Sequence, residues 1–227
     1  MESVTSEKLV QNDKKMEIYI RCPNTMQNQL LVEYLGRGTG YPVTCGTQFS
    51  AKTKGKNIHF LFLFDCFNLK EAGIWPSIGS DSFSYEGNIA TALFNVAGNL
   101  SATIEPIAIA RGISGIFYEG LSLDILVKGL QAILNGELWY SHKAISRYIK
   151  QNAARTLVRQ DQNEPLTPRE KEILRFLITG ESNTDIADKL HLSIHTIKTH
   201  IYNLYKKIDV PNRLQAVLWA AKHLPYI

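Results

Sequence analysis

The densest run of side chains able to do chemistry lies between Ser193 and Asp209. At helical spacing, Ile194, Ile197, Ile201, Leu204 and Ile208 form one apolar stripe. The remaining positions present His195, Thr196, Lys198, Thr199, Tyr202, Asn203, Lys206 and Lys207, with no carboxylate before Asp209. Lysines pair with phosphates or guanine edges, Thr and Asn reach base edges, and Tyr and a helix N-terminus touch backbone. An acid-free helix face of this kind, preceded by a short helix and a tight turn, suits the major groove of duplex DNA. The bland alternative is a solvated face on a small bundle, and the helix-turn-helix spacing weighs against it.

Other constellations carry less. His195 and His200 are five apart, so they do not share a face as an i, i+4 metal pair would. Cys22, Cys45 and Cys66 are an odd number with no CxxC spacing, and read as reduced core residues. The GRGTG run from Gly36 lacks the Lys-Ser/Thr of a phosphate-binding loop and reads as a helix stop. No catalytic constellation or metal site is expected. The 227 residues are 44% hydrophobic and 20% charged with a net charge of +4, an ordinary globular balance on the basic side. There is no apolar run of membrane-spanning length and no signal-like N-terminus, so a cytoplasmic protein without a membrane partner is expected.

The elements that would hold the recognition run follow from its neighbours. Thr167, Pro168 and Glu170 make a capping box with a helix-starting proline. Gly180 ends that helix, and a short helix over 184–190 follows, capped by Asn183. Ser193 caps the recognition helix, 194–208, and Asn212 caps a last helix over 213–223. Upstream, strands are expected at 16–20, 41–47, 58–64, 90–96 and 113–118, with helices at 27–35 and 121–134 and a further one reaching Ile149. The run at 58–64 is apolar throughout, as in a strand buried on both faces. The stretch 67–89 carries no assignable pattern. Strands alternating with helices predict an α/β, doubly wound parallel sheet. The expected organisation is a tail (1–15), the α/β domain with an extra C-terminal helix (16–150), a polar linker (151–164) and an all-α four-helix domain (165–227).

The segment from Leu166 to Ile208 resembles the LuxR/FixJ-type helix-turn-helix, through Leu166, Thr167, Arg169, Glu170, Gly180, Ile186, Ala187, Leu190, Ser193, Thr196, Ile197, Lys198, His200 and Leu204, with Asn212, Arg213 and Ala216 beyond. The resemblance implies a transcription regulator that binds double-stranded DNA as a homodimer or higher homo-oligomer and works with RNA polymerase. It also implies base-facing positions at Lys198, Thr199 and Tyr202.

An α/β domain ahead of such a segment suggests a phosphorylation-dependent receiver, whose phosphoacceptor Asp ends the third strand, where Asp65 stands. That chemistry needs Mg²⁺ held by an acidic pair after the first strand, and a Lys after the fifth. Here the places read Arg21-Cys22-Pro23 and Tyr118-Glu119, and Asn95 lies near the switch Ser/Thr. Asp65 is therefore expected to be a vestigial phosphoacceptor position in a receiver-like domain. A genuine phospho-receiver is the alternative.

The segment from Leu134 to Ile149 resembles the VpsT/CsgD group of biofilm-matrix regulators. In part of that group a W-[F/L/M]-[T/S]-R motif binds cyclic di-GMP. This chain reads Trp139, Tyr140, Ser141 and His142, so the imidazole of His142 replaces the guanidinium and its permanent charge. The resemblance implies control of matrix genes, either through a variant cyclic di-GMP site at these residues or by a ligand-independent oligomeric regulator. No other cofactor is expected.

Overall fold

The computed structural model describes residues 15–49, 58–78, 88–152 and 166–224. The expected tail, apart from Lys15, and most of the expected linker lie outside the described residues.

The first element, β1 (Lys15–Arg21), is followed by α1 (Met26–Thr39) and β2 (Val43–Gly46). Next come β3 (Ile58–Asp65), α2 (Glu71–Ile78), β4 (Asn88–Val96), α3 (Ser101–Ala110), β5 (Gly115–Tyr118) and α4 (Leu123–Leu134). All pairings are parallel, and the five strands run in the order β2-β1-β3-β4-β5. This is the doubly wound receiver-like sheet, with its topological switch beside β1.

The alternation within β3 explains how one apolar run serves two layers. Leu61 and Leu63 enter a core with Ile18, Ile20, Leu35 and Leu130, beneath α1 and α4. Phe60, Phe62 and Phe64 face the other way, into a core with Ile74, Leu93, Ile104 and Ile113. Each such side chain contributes roughly 1.5–3 kcal/mol on full burial.

Three sequence expectations change. The helix predicted to stop at Gly36 continues through Gly36 and Gly38 and ends at Gly40, whose φ is +75°. Gly38 is there for packing: a Cβ on it would lie 2.8 Å from Val127 Cγ2 on α4. Helix α3, between β4 and β5, has no counterpart in the sequence reading, because Pro106 and three isoleucines within ten residues disguise it. The unassigned middle contains α2, and the remainder of that stretch before β4, 79–87, lies outside the described residues.

After α4 the chain lays Trp139 beside β5 before α5 (His142–Asn152), the extra helix. The second unit is all helical: α6 (Pro168–Ile178), α7 (Asn183–Leu190), α8 (Ile194–Lys207) and α9 (Arg213–His223). Its core joins Ile173, Leu174 and Leu177 of α6 with Ile186, Ile197, Ile201, Leu204 and Ala216. Among the described residues no helix is long and apolar enough to cross a membrane.

Candidate nucleic-acid interface

Local capping sets the angle at which α8 is presented. At the start of α6, Glu170 N donates to Thr167 Oγ1 (3.2 Å) and Thr167 N donates to Glu170 Oε2 (2.7 Å). Lys207 Nζ donates to the same Glu170 Oε2 at 2.9 Å, which ties the end of α8 to the start of α6. Burial pushes the Glu170 carboxyl up, but the Thr167 backbone bond and Lys207 outweigh it and leave the pKa lowered. Helix α7 is capped by Ser182, not by Asn183 as expected, through a reciprocal pair with Asp185. Asn183 is instead the first helical residue, and it is buried. His191 takes φ +52° to make the turn, and Leu192 N returns to Ala187 O at 3.0 Å. Ser193 then caps α8 by accepting from Thr196 N at 3.1 Å.

The polar face of α8 is only partly the open surface the sequence suggests. Asn203 and Lys206 are exposed, with Lys206 Nζ 5.0 Å from the centre of the Tyr202 ring. His195, Thr196, Thr199 and Tyr202 are half-buried, and Thr199 Oγ1 donates to His195 O. Lys207 departs from the expectation, because Glu170 holds it on the bundle side. Lys198 departs further. It is 5% exposed, its Nζ lies 3.6 Å from Met16 Sδ on β1, and the Tyr41 ring centre is 5.9 Å away. Burial alone lowers its pKa to about 8.

That burial comes from the docking of the two units. Asn212 Nδ2 donates to Ile109 O (3.1 Å), Gln215 Nε2 to Tyr148 Oη (2.7 Å), and Asn183 N to Asn135 O (3.1 Å). Gly136, at φ +83°, lies under the Asn183 amide, and a Cβ there would be 2.6 Å from Oδ1. The sheet unit thus covers part of the helix expected to read DNA.

In the sheet unit, Asp65 Oδ1 accepts from Asn95 Nδ2 (2.9 Å) and from Phe67 N (3.0 Å). Asn95 reaches it from a positive-φ position in β4, where the β4–β5 register shifts. Arg21 Nη1 donates to Ile78 O, and its guanidinium stands over the Phe64 ring at 5.7 Å. The adjoining cavity of 380 Å³ has Asp65 as the one acid among its described lining residues. One carboxylate beside a guanidinium does not fit Mg²⁺, which prefers several oxygen ligands. At the end of β5, Tyr118 Oη donates to Glu105, and the next residue is Glu119 rather than a lysine.

Within the Trp139–His142 stretch, the two aromatic residues are taken up by packing. Trp139 exchanges backbone bonds with Ser114 and Ile116, and its ring stacks on Phe117 at 5.9 Å. Tyr140 Oη donates to Ile113 O at 2.9 Å, and burial pushes its pKa well up. Ser141 Oγ accepts from Ala144 N at the start of α5, while His142 is exposed with Nδ1 3.4 Å from Ser146 Oγ.

Comparison with known proteins places the helical unit. Residues 164–220 match the family model for bacterial regulatory proteins of the luxR family. The probable csgAB operon transcriptional regulatory protein of Salmonella typhimurium is 46% identical over 112 residues, 49% of this chain and 51% of that protein. The CsgBAC operon transcriptional regulatory protein of Escherichia coli is 44% identical over 112 residues, again 49% and 51% of the two chains. The chain thus spans about half the length of these curated relatives. Among solved structures, the regulatory domain of the master biofilm regulator CsgD aligns at 22% identity and a TM-score of 0.48, over 60% of this chain and 98% of that one. Residues 164–220 therefore resemble the luxR family of bacterial regulatory proteins.

Proposed function

We propose that the chain is a sequence-specific, DNA-binding transcription regulator of biofilm or extracellular-matrix genes. The observation that carries this is α8: a capped helix with no acidic side chain along its length, set by a tight turn against α7, inside the segment that matches the luxR family. The printed names of the csg-operon relatives support the matrix targets. The base-reading set is Thr199, Tyr202 and Lys198, with His195, Thr196, Asn203 and Lys206 beside them and Lys207 at the edge. Because Lys198 is buried on Met16, productive binding requires α8 to leave the sheet unit. The receiver-like unit acts without phosphorylation at Asp65, and it governs assembly into a homodimer or larger homo-oligomer that places paired recognition helices on DNA and engages RNA polymerase.

A duplex from the promoter of a matrix operon tests the reading. Saturable binding that weakens steeply with salt, and that is unchanged by Asp65→Ala, is expected. Stoichiometric labelling of Asp65 by acetyl phosphate with Mg²⁺ contradicts the phosphorylation-independent part.

A second reading is control by cyclic di-GMP at Trp139, Tyr140, Ser141 and His142, favoured by the two matching positions, Trp139 and Ser141. Calorimetric titration with cyclic di-GMP decides it. Saturable binding lost in His142→Ala supports the reading, and no heat at high ligand concentration removes it.

A further inference from the structure

A cavity of about 660 Å³ lies between the two units, within the range of ligand sites. Two polar atoms on its wall have no hydrogen-bond partner, and a third group, the Lys198 ammonium, has only a thioether one. Asn183 is 5% exposed, lies against the cavity, and its Oδ1 has no hydrogen-bond partner. Arg213 uses Nη2 on the Leu177 and Glu181 carbonyls, while its buried Nη1 has none. Lys198 is a buried ammonium that meets a thioether and a ring, with no acid beside it among the described residues.

Buried polar groups are ordinarily paired, and an unpaired buried cation is the costliest case. Water can satisfy an amide, but it does not neutralise an ammonium. Glu137 and Asp209 also line the space, against Arg111, Lys198, Lys206 and Arg213, so positive charge is in excess. Tyr202 lines the same space.

We propose that this cleft binds a small phosphorylated molecule, no larger than a mononucleotide, which pairs with Lys198 and Arg213 and holds the two units together. A phosphate ester matches the chemistry, since its oxygens accept charge-assisted bonds from ammonium and guanidinium. A ligand that binds only the packed form shifts the population toward it by its differential affinity. Occupancy therefore opposes DNA binding. This second step rests on the reading of α8 as the DNA-contacting helix; the binding step does not.

The test uses the intact chain and pyrophosphate as probe, at ionic strength held constant with sodium chloride. Calorimetry is expected to show one saturable site per chain. Lys198→Met, which keeps the side chain's length without its charge, weakens it about tenfold or more. Glu137→Gln, which removes an opposing charge, tightens it. Circular dichroism checks that both variants fold. No saturable heat up to millimolar probe, or equal binding by Lys198→Met, overturns the site. In the second arm, saturating pyrophosphate lowers affinity for duplex DNA at matched ionic strength. Probe binding with DNA affinity unchanged overturns the coupling. Absence of any DNA binding removes the DNA reading while the calorimetry still decides the site.

Discussion

Lys198 is where the sequence and the fold give one residue two environments. On a separated α8 it is a solvated lysine titrating near 10.5; in the packed arrangement burial brings it to about 8. Between those values the packed form binds fewer protons than the separated form. Raising the pH through that window therefore favours packing, by up to about tenfold per unit. Below the window both forms hold the proton and the balance is flat. Met16 and Tyr41 face the amine from the sheet unit, and burial is the cause of its lowered pKa. Energy transfer between dyes on the two units should rise across the window in the parent chain and be flat in Lys198→Met. Tyr140 makes a simpler case. Tyr140→Phe removes the donor to Ile113 O, and it should cost about 1 kcal/mol in denaturant unfolding.

At the scale of elements, the caps are the most local and most testable devices. Thr167→Ala removes one half of the box that starts α6 and loosens the Glu170–Lys207 tie that fixes the end of α8. A loss of about 1 kcal/mol is expected in the unfolding of the helical unit. Helix α7 is capped by Ser182 and not by the neighbouring Asn183, whereas the caps at Thr167, Ser193 and Asn212 were legible in the sequence because each is a short pattern of residue types. So were β3, from its apolar run, and the stripe of α8, from its period. What escaped depends on neighbours distant in sequence. Gly36 and Gly38 look like helix stops until α4 is seen packing against α1, with Val127 at the position a side chain on Gly38 would fill. The residues of α3 drew no assignment because Pro106 sits inside a helix whose buried Ile104 and Ala108 pack into the core against the sheet. Of the proposed site, the sequence carries the acid-free face of α8, which depends on residue types alone. The burial of Lys198 and the capture of Lys207 by Glu170 were not legible there, since both depend on side chains far away in the chain.

For the whole molecule, two units share a close joint. Gly136 under Asn183, the Asn212 bond to Ile109 and the Gln215 bond to Tyr148 hold the helical unit against the sheet unit. Gly136→Ala combines a left-handed φ with a Cβ 2.6 Å from Asn183 Oδ1, so it should separate the units and leave each folded. Faster amide exchange along α8, together with raised DNA affinity, is the expected outcome. The central claim is that α8 reads DNA, and fluorescence anisotropy of a labelled promoter duplex with the intact chain tests it most directly. Thr199→Ala and Asn203→Ala should each weaken specific binding by about 1–3 kcal/mol and narrow the gap to unrelated sequence. Full specific affinity in both variants, or no binding of any duplex by the parent chain or by Gly136→Ala, would contradict it.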